Sequence, residues 1–375
     1  MDTISFLIVL DSAGFTVLRI LLSVLWQSTI VLAAAGALAW FLRRRGDRVR
    51  HIIWTGAVCI IPLLPLLTWG AARLGSPRAE IQVIQPYTAP LNELEQQVSD
   101  DFHFLPSAPS SSAVSPIPIS PLDYPWALGL AGYLLAVSAM LFWMTVGRLR
   151  IRRWILDGEA VIDPRVLNTF HEAGELLGIR REYPVIEHQT IPAPVTCRVF
   201  HPVIILPSGF STELIAIELH AVALHELMHV KRRDTFVFTV VSFIRAVFFF
   251  QPLVWVACRR ISYLAELACD SAVLDSQKDP AAYAALLTRI AFHLPDRALS
   301  TELAAGILFS KSSFFQRIRE ILSDRRDQVK KLSKLALAGL LLAGTLSLAL
   351  AVALPLGEVT TKVVKESSEV KNETT

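Results

Sequence analysis

Charged residues are scarce in this sequence. Asp, Glu, Lys and Arg make up 18% of the 375 residues, whereas a typical soluble domain has about 25%. Hydrophobic residues reach 53%, and the mean hydropathy is +0.47. This composition excludes intrinsic disorder as the main state, because the chain has abundant apolar surface to bury. The net charge of +3 is too small to indicate nucleic-acid binding by itself.

Cysteine is also rare, and its positions exclude another class of protein. The four cysteines are scattered through apolar or mid-chain contexts without paired spacing: Cys59, Cys197, Cys258 and Cys269. A small domain stabilised by disulfides would have paired, closely spaced cysteines. The chain is therefore not a disulfide scaffold.

Long apolar stretches are the most prominent feature that is present. Four of them reach the length of about 20 residues that a helix needs to cross a bilayer. They are residues 15–42, 52–72, 126–146 and 335–354. Positive charges follow the first stretch instead of preceding it, so it predicts a retained anchor and not a signal peptide. Four such stretches in one chain indicate a membrane protein.

The distribution of Lys and Arg predicts the orientation of these spans, because basic loops stay in the cytoplasm. The segments 43–50 and 148–153 are rich in arginine, whereas residues 75–124 contain only Arg78 among several acidic residues. We therefore expect both termini outside. The chain divides into two N-terminal spans with a short cytoplasmic loop (1–74), an extended outer loop rich in Pro and Ser (75–124), a third span (125–147), a cytoplasmic domain (148–333), a fourth span (334–355) and a disordered outer tail (356–375).

Within the cytoplasmic domain, local patterns predict the elements that surround the site. We expect a helix over residues 154–177 that ends at Gly178. Short β-prone runs at 183–186, 195–199 and 203–206 predict a small sheet. Ser211 or Thr212 is expected to cap the next helix.

That next helix contains the motif His225-Glu226-Leu227-Met228-His229. Residues four apart lie about 40° apart around a helix, so both histidines project from one face and can bind one Zn²⁺. Glu226 lies about 100° from His225 and can take a proton from a water at the metal. The spacing alone leaves open that the two histidines are only structural.

Zinc in a catalytic site needs a third protein ligand. Glu266 lies in a helical pattern over 253–274 among apolar neighbours, which makes a solvated surface role less favourable. Asp270, one turn further on, can accept the second N–H of a ligand histidine and fix its tautomer. Cys269 is an alternative ligand, although a buried thiol is its commoner role.

A further apolar stretch, residues 235–257, separates the motif from Glu266. Basic residues flank it on both sides, and Pro252 interrupts it. A single crossing would place Glu266 and His225 on opposite sides of the membrane. We therefore predict a membrane-associated helical hairpin over 235–262, buried in the protein or dipping into the inner leaflet. Arg245 within it needs a partner.

Three segments in this order resemble the BlaR/MecR family of integral-membrane zinc metallopeptidases, the antirepressor peptidases of bacterial β-lactam sensing. They are HELMHVKRRD (225–234), QPLVW (251–255) and ELACD (266–270), supported by residues 192–207 and 317–322. The resemblance covers about residues 15–355. It implies Zn²⁺ on His225, His229 and Glu266, with Glu226 as general base, in a gluzincin-like minidomain. The family's β-lactam sensors carry a penicillin-binding domain after the last span. Here 21 residues follow Leu354, so β-lactam sensing by that route is not expected.

Two further segments are predicted to meet a substrate. Peptides commonly bind proteases by adding a strand to a sheet edge, and the candidates for that edge are Thr196, Cys197, Arg198, Val199 and Phe200. The polar linker 322–327 contains Arg325 and Arg326, a candidate site of self-cleavage. The outer loop 75–124 is the expected input element.

We thus expect a mainly α membrane protein with four transmembrane helices and a cytoplasmic gluzincin-like α+β zinc metallopeptidase domain, in the inner membrane of a bacterium. Its expected function is cleavage of a cytoplasmic protein, by family analogy a transcriptional repressor, or of itself in signalling. The alternatives are a non-catalytic signalling scaffold with structural zinc and a housekeeping quality-control protease. Expected partners are the protein substrate and the lipid bilayer, without direct contact to nucleic acid. A homodimer is left open.

Overall fold

The structure, a computed structural model, describes residues 3–43, 46–74, 81–83, 123–292, 311–323, 334–353 and 356–358. The helices are α1 (Thr3–Phe41), α2 (Asp47–Ile60), α3 (Leu64–Arg73), α4 (Pro125–Asp157), α5 (Pro164–Leu176), α6 (Phe210–Glu213), α7 (Ala216–Arg232), α8 (Asp234–Val247), α9 (Pro252–Gln277), α10 (Pro280–Phe292), α11 (Lys311–Leu322) and α12 (Lys334–Ala353). The strands are β1 (Ile81–Val83), β2 (Glu159–Ala160), β3 (Val185–His188), β4 (Val195–Cys197), β5 (Val203–Pro207) and β6 (Leu356–Glu358).

Among the described residues, three helical segments are long and apolar enough to cross a membrane: Ser5–Phe41, Asp47–Ala71 and Pro125–Asp157. The second combines α2 and α3 through a 3₁₀ turn at Ile61–Leu63, where prolines remove backbone donors. The fourth expected span coincides with α12. Its described apolar part, Leu342–Ala353, is shorter than a span, so four crossings stay a prediction.

The single helix expected over 154–177 is wrong. The helix α4 ends at Asp157, and Gly158 then passes so close to β3 that an added Cβ would lie 2.8 Å from Ile186 Cδ1. A new helix begins after Asp163, whose side chain accepts a hydrogen bond of 2.8 Å from the Arg165 amide. The expected C-terminal glycine, Gly178, ends this second helix with a positive φ of 69°.

The main sheet has four strands in the order β2-β3-β5-β4. The strands β3 and β5 are parallel and central, whereas β2 and β4 pair antiparallel at the two edges, with Thr196 opposite Ile204. The strand β4 ends at Cys197 because Arg198 turns the chain with a positive φ of 65°. The edge strand is therefore shorter than the run expected over 195–199.

Two apolar cores meet along α9. The first half of α9, with Val254 and Ile261, packs against α1, α2 and α8. The second half, with Val273 and Leu274, packs against α5, α7, α10 and the sheet. Glu266 lies between these halves, at the junction of the membrane helices and the smaller α+β unit.

The segment 235–257 forms two helices that reverse direction. The helix α8 ends at Val247, and α9 begins at Pro252 with Gln251 as its cap. The Arg245 guanidinium lies over the Trp255 ring, 4.8 Å from its centroid, which identifies a partner for this half-buried charge. The Gln251 side chain donates to the Leu25 carbonyl of α1 at 2.9 Å, so the turn is held among the long helices.

Candidate active site

The motif helix α7 is positioned by its ends. The side chain of Glu218 accepts a hydrogen bond of 3.1 Å from the backbone N–H of Ile215 at the start. The expected capping by Ser211 or Thr212 is therefore wrong, and Ser211 instead donates to Glu187 at 2.8 Å. At the other end, Arg233 takes a positive φ of 57° and turns the chain into α8.

The side chains of His225, His229 and Glu266 converge. The two imidazole centroids lie 5.1 Å apart. His225 Nε2 is 3.4 Å from Glu266 Oε2, and His229 Nε2 is 3.5 Å from Glu266 Oε1. Ligand atoms in tetrahedral zinc sites are separated by roughly 3.4 Å, given bonds of about 2.0–2.1 Å. The two distances between imidazole and carboxylate thus fit a shared zinc ion, and all three residues are of a type that binds zinc.

Cys269 is a second neighbour of the two histidines. One ligand atom each from His225, His229 and Cys269 lie within 4.8 Å of one another, and Cys269 is fully buried. The structure therefore brings both candidate third ligands to the histidines. Glu266 places one carboxylate oxygen near each Nε2 atom, at 3.4 and 3.5 Å.

Each histidine has a carboxylate on its other ring nitrogen. His225 Nδ1 lies 3.3 Å from Asp270 Oδ1, and His229 Nδ1 lies 2.9 Å from Asp234 Oδ2. Such contacts fix the tautomer and leave Nε2 free for a metal. Asp270 was among the residues predicted from the sequence. Asp234 was missed, although it follows the motif within the segment that carried the family resemblance.

Two further residues at the site lie on α10 and α11 and had no spacing signal. Arg317 is buried, with Nη1 2.8 Å from Glu266 Oε2 and Nη2 2.7 Å from Asp270 Oδ1. The Tyr283 hydroxyl donates to Asp270 Oδ1 at 2.8 Å and lies 3.1 Å from His225 Nδ1. The segment containing Arg317 entered the resemblance only as a flanking match.

These contacts keep the carboxylates ionised. Burial raises the pKa of Asp270, but Arg317 and His225 outweigh it and hold the pKa at about 2. Burial is likewise outweighed at Glu266, whose pKa is held well below its usual range by Arg317 and the two histidines. Burial lowers the pKa of His225, but hydrogen bonds to Asp270 and Glu266 raise it to about 10. His225 therefore carries a proton when no metal is bound, and a divalent cation would replace that proton as the positive charge facing Glu266.

Glu226 is buried on the side of α7 that faces the edge strand. Its Oε2 lies 2.8 Å from the Thr196 hydroxyl of β4, and that hydroxyl is also 3.1 Å from the Glu226 carbonyl. Two small cavities adjoin His225, Glu226 and Glu266. One, of about 50 Å³, is lined by Trp154, Thr196 and Phe238; the other, of about 80 Å³, is lined by Leu286, Leu287, Ile290 and Phe314.

The structure separates the other residues predicted to meet a substrate. Cys197 points into the sheet core, where burial raises the pKa of its thiol to about 12. Arg198, Val199 and Phe200 lie in the turn after β4 and line a different, larger cavity. Only Thr196 of the five candidates contacts Glu226. Arg325 and Arg326 lie outside the described residues, as does the outer loop apart from β1 and residues 123–124.

Comparison with known proteins identifies the family. Residues 23–321 match the family described as BlaR1 peptidase M56. The regulatory protein BlaR1 of Bacillus licheniformis is 31% identical over 144 residues, which cover 38% of this chain and 24% of that protein. The family match includes every donor described above, from α7 to α11. The chain belongs to the BlaR1 peptidase M56 family.

Proposed function

We propose that this chain is a zinc endopeptidase of the bacterial cytoplasmic membrane that cleaves a protein on the cytoplasmic side. The observation that supports this best is the placement of Glu226 between three converging donors and an edge strand. His225, His229 and Glu266 would hold the zinc. The alternating arginine-rich and acidic loops support a cytoplasmic location for this site.

Zinc bound at these donors would supply Lewis acidity toward a peptide carbonyl and lower the pKa of a water molecule. Glu226 accepts a proton from the attacking water at its carboxylate and delivers it to the amine that leaves. The Thr196 hydroxyl donates to Glu226 Oε2 and so orients the carboxylate for this transfer. Asp270 and Asp234 orient the two imidazoles.

The substrate would bind as a strand along β4, which has no second strand partner among the described residues. The apolar cavity of about 80 Å³ beside His225 and Glu266 suits one aliphatic side chain next to the bond that is cut. The relative from Bacillus licheniformis is named as a regulatory protein. This supports a regulatory target: a cytoplasmic repressor or the chain itself at Arg325 and Arg326.

Replacing Glu226 tests the mechanism. Glu226→Gln should retain one zinc per chain and lower peptide cleavage by about 100- to 10,000-fold, the usual contribution of a general base. Metal analysis and a peptide-cleavage assay on the purified full chain measure both. Glu213→Gln, an exposed change on α6, is the matched control and should cleave normally. Cleavage near the wild-type rate by Glu226→Gln would contradict the assignment.

A non-catalytic scaffold with structural zinc is the second candidate, and the proximity of Cys269 favours it. A closed site would use His225, His229, Cys269 and Glu266 together, leaving no position for water. Under the peptidase proposal, Cys269→Ser should keep zinc and activity, while Glu266→Gln loses both. Loss of zinc from both variants, with no cleavage by the wild-type chain, would support the scaffold.

A further inference from the structure

A larger cavity lies apart from the metal donors, between α4 and α8. Its volume is about 890 Å³. One wall comes from Ala139 to Leu156 of α4, which is about 26 Å along a helix. The opposite wall comes from α8, and the turn after β4 closes one end. This wall is long enough to cover one leaflet of a bilayer with its headgroups, about 20–22 Å.

The chemistry of the cavity changes along α4. Its first part is apolar, with Ala139, Met140, Trp143 and Met144. Its last part is cationic, and among the described lining residues five are arginines and none is acidic. The arginines are Arg148, Arg150, Arg152, Arg198 and Arg245. The three on α4 are exposed and form no ion pair with any described residue.

Hydroxyl groups line the facing wall. Thr235, Thr239 and Ser242 recur at helical spacing along α8 and border the same cavity. They offer hydrogen-bond donors opposite the arginines. The cavity therefore combines an apolar end, a cluster of cations and a row of hydroxyls.

We propose that this cavity binds an anionic phospholipid. Its acyl chains lie against the apolar part of α4, which belongs to a candidate membrane span, and its phosphate lies at Arg148 and Arg152, one turn apart on the same face. Arginine binds phosphate oxygens through paired N–H donors. Both long walls are helices whose backbone groups are paired internally, and the edge strand β4 reaches the cavity only at its last residue, Cys197, so an extended peptide would find little strand edge there. The observations therefore favour a lipid over a polypeptide.

The site adjoins the active site without sharing its donors. Thr235 and Phe238 line both this cavity and the cavity of about 50 Å³ beside Glu226. The inference does not depend on the proposed peptidase activity, because lipid binding is measured directly.

Native mass spectrometry of the purified full chain tests the proposal, with phosphatidylglycerol and phosphatidylcholine of identical acyl chains as probes. Phosphatidylglycerol should bind more tightly. One basic residue raises the affinity for an anionic lipid surface about fivefold. The Arg148→Gln/Arg152→Gln double variant should therefore bind phosphatidylglycerol about 25-fold more weakly than the unchanged chain. Arg153→Gln is the matched control, since Arg153 is equally exposed on α4 but does not line the cavity.

A second measurement does not depend on the arginine variants folding. A photocrosslinking amino acid at Trp143, with all arginines retained, should capture phosphatidylglycerol in mixed vesicles. Equal affinity for the two lipids would overturn the proposal, as would an effect of Arg153→Gln as large as that of the double variant. Crosslinking to a polypeptide instead of lipid would identify the cavity as a peptide site.

Discussion

Arg317 forms ion pairs with two acidic residues that have different roles at the site. It contacts Glu266, a proposed ligand, and Asp270, which orients His225. All three side chains are buried, so the guanidinium supplies the positive charge that allows two ionised carboxylates to lie one turn apart. In our interpretation Arg317 is a positioning residue: it holds one oxygen of Glu266 while the other faces His229.

Arg317→Met should weaken zinc binding about 10- to 100-fold, the usual effect of losing a group that orients a ligand. Competition with a zinc chelator measures the affinity, and the loss of activity should be restored in part by saturating zinc. Arg317→Lys keeps the charge and should recover part of the affinity. Arg319→Met, an exposed change on α11, should have no effect. Unchanged zinc affinity in a folded Arg317→Met chain would show that Arg317 has no role at the metal.

At the scale of single elements, the sequence predicted where helices run better than where they break or begin. The apolar pattern over 253–274 anticipated α9, and the i, i+4 spacing put Glu266 and Asp270 on one face. The break after Asp157 was missed because periodicity carries no information about packing at Gly158, where an added Cβ would lie 2.8 Å from the Trp154 carbonyl oxygen and from Ile186 Cδ1 of β3. The helix cap was also misplaced: Ser211 and Thr212 lie in the separate short helix α6, and α7 begins after Ile215, whose N–H donates to Glu218.

At the site, too, contacts within one helix were predicted from the sequence, whereas contacts between distant elements were not. The motif spacing predicts neighbouring imidazoles with Glu226 to one side, because these relations lie within one helix turn. Tyr283 and Arg317 contact Asp270 from helices 13 and 47 residues away, and no local rule links them to the motif. The edge strand was located correctly only in part: Arg198 turns the chain, a backbone conformation that side-chain pattern does not reveal.

For the whole molecule, the hairpin of α8 and α9 determines how the site meets the membrane. Its turn contacts Leu25, Ser28 and Thr29 of α1 through Gln251. Leu25 lies roughly 16 residues, or about 24 Å, before the end of α1. The Tyr133 hydroxyl of α4 donates to the Val247 carbonyl. We infer that the turn reaches past the middle of a bilayer core of about 30 Å, deeper than the inner leaflet alone.

Such depth has a specific physical requirement. A turn inside the hydrocarbon region exposes backbone and polar groups that no water can satisfy. Gln251 is buried, and its side chain bonds to α1 and caps α9 at once. The turn is therefore held by protein partners on the sides that α1 and α4 cover, as re-entrant segments require.

The hairpin predicts on which side of the membrane its two ends lie. If the hairpin enters and leaves on the same side, Lys231 before it and Lys278 after it both lie in the cytoplasm. In a chain whose four native cysteines are replaced, Lys231→Cys and Lys278→Cys should both resist an impermeant maleimide added to intact cells and react after permeabilisation. Both lysines are exposed, so protection cannot come from burial in the protein. Ser110→Cys, in the expected outer loop, is the positive control.

Labelling of Lys278→Cys but not of Lys231→Cys in intact cells would mean that the segment crosses once. His225 and Glu266 would then lie on opposite sides of the bilayer, and the proposed zinc site could not exist.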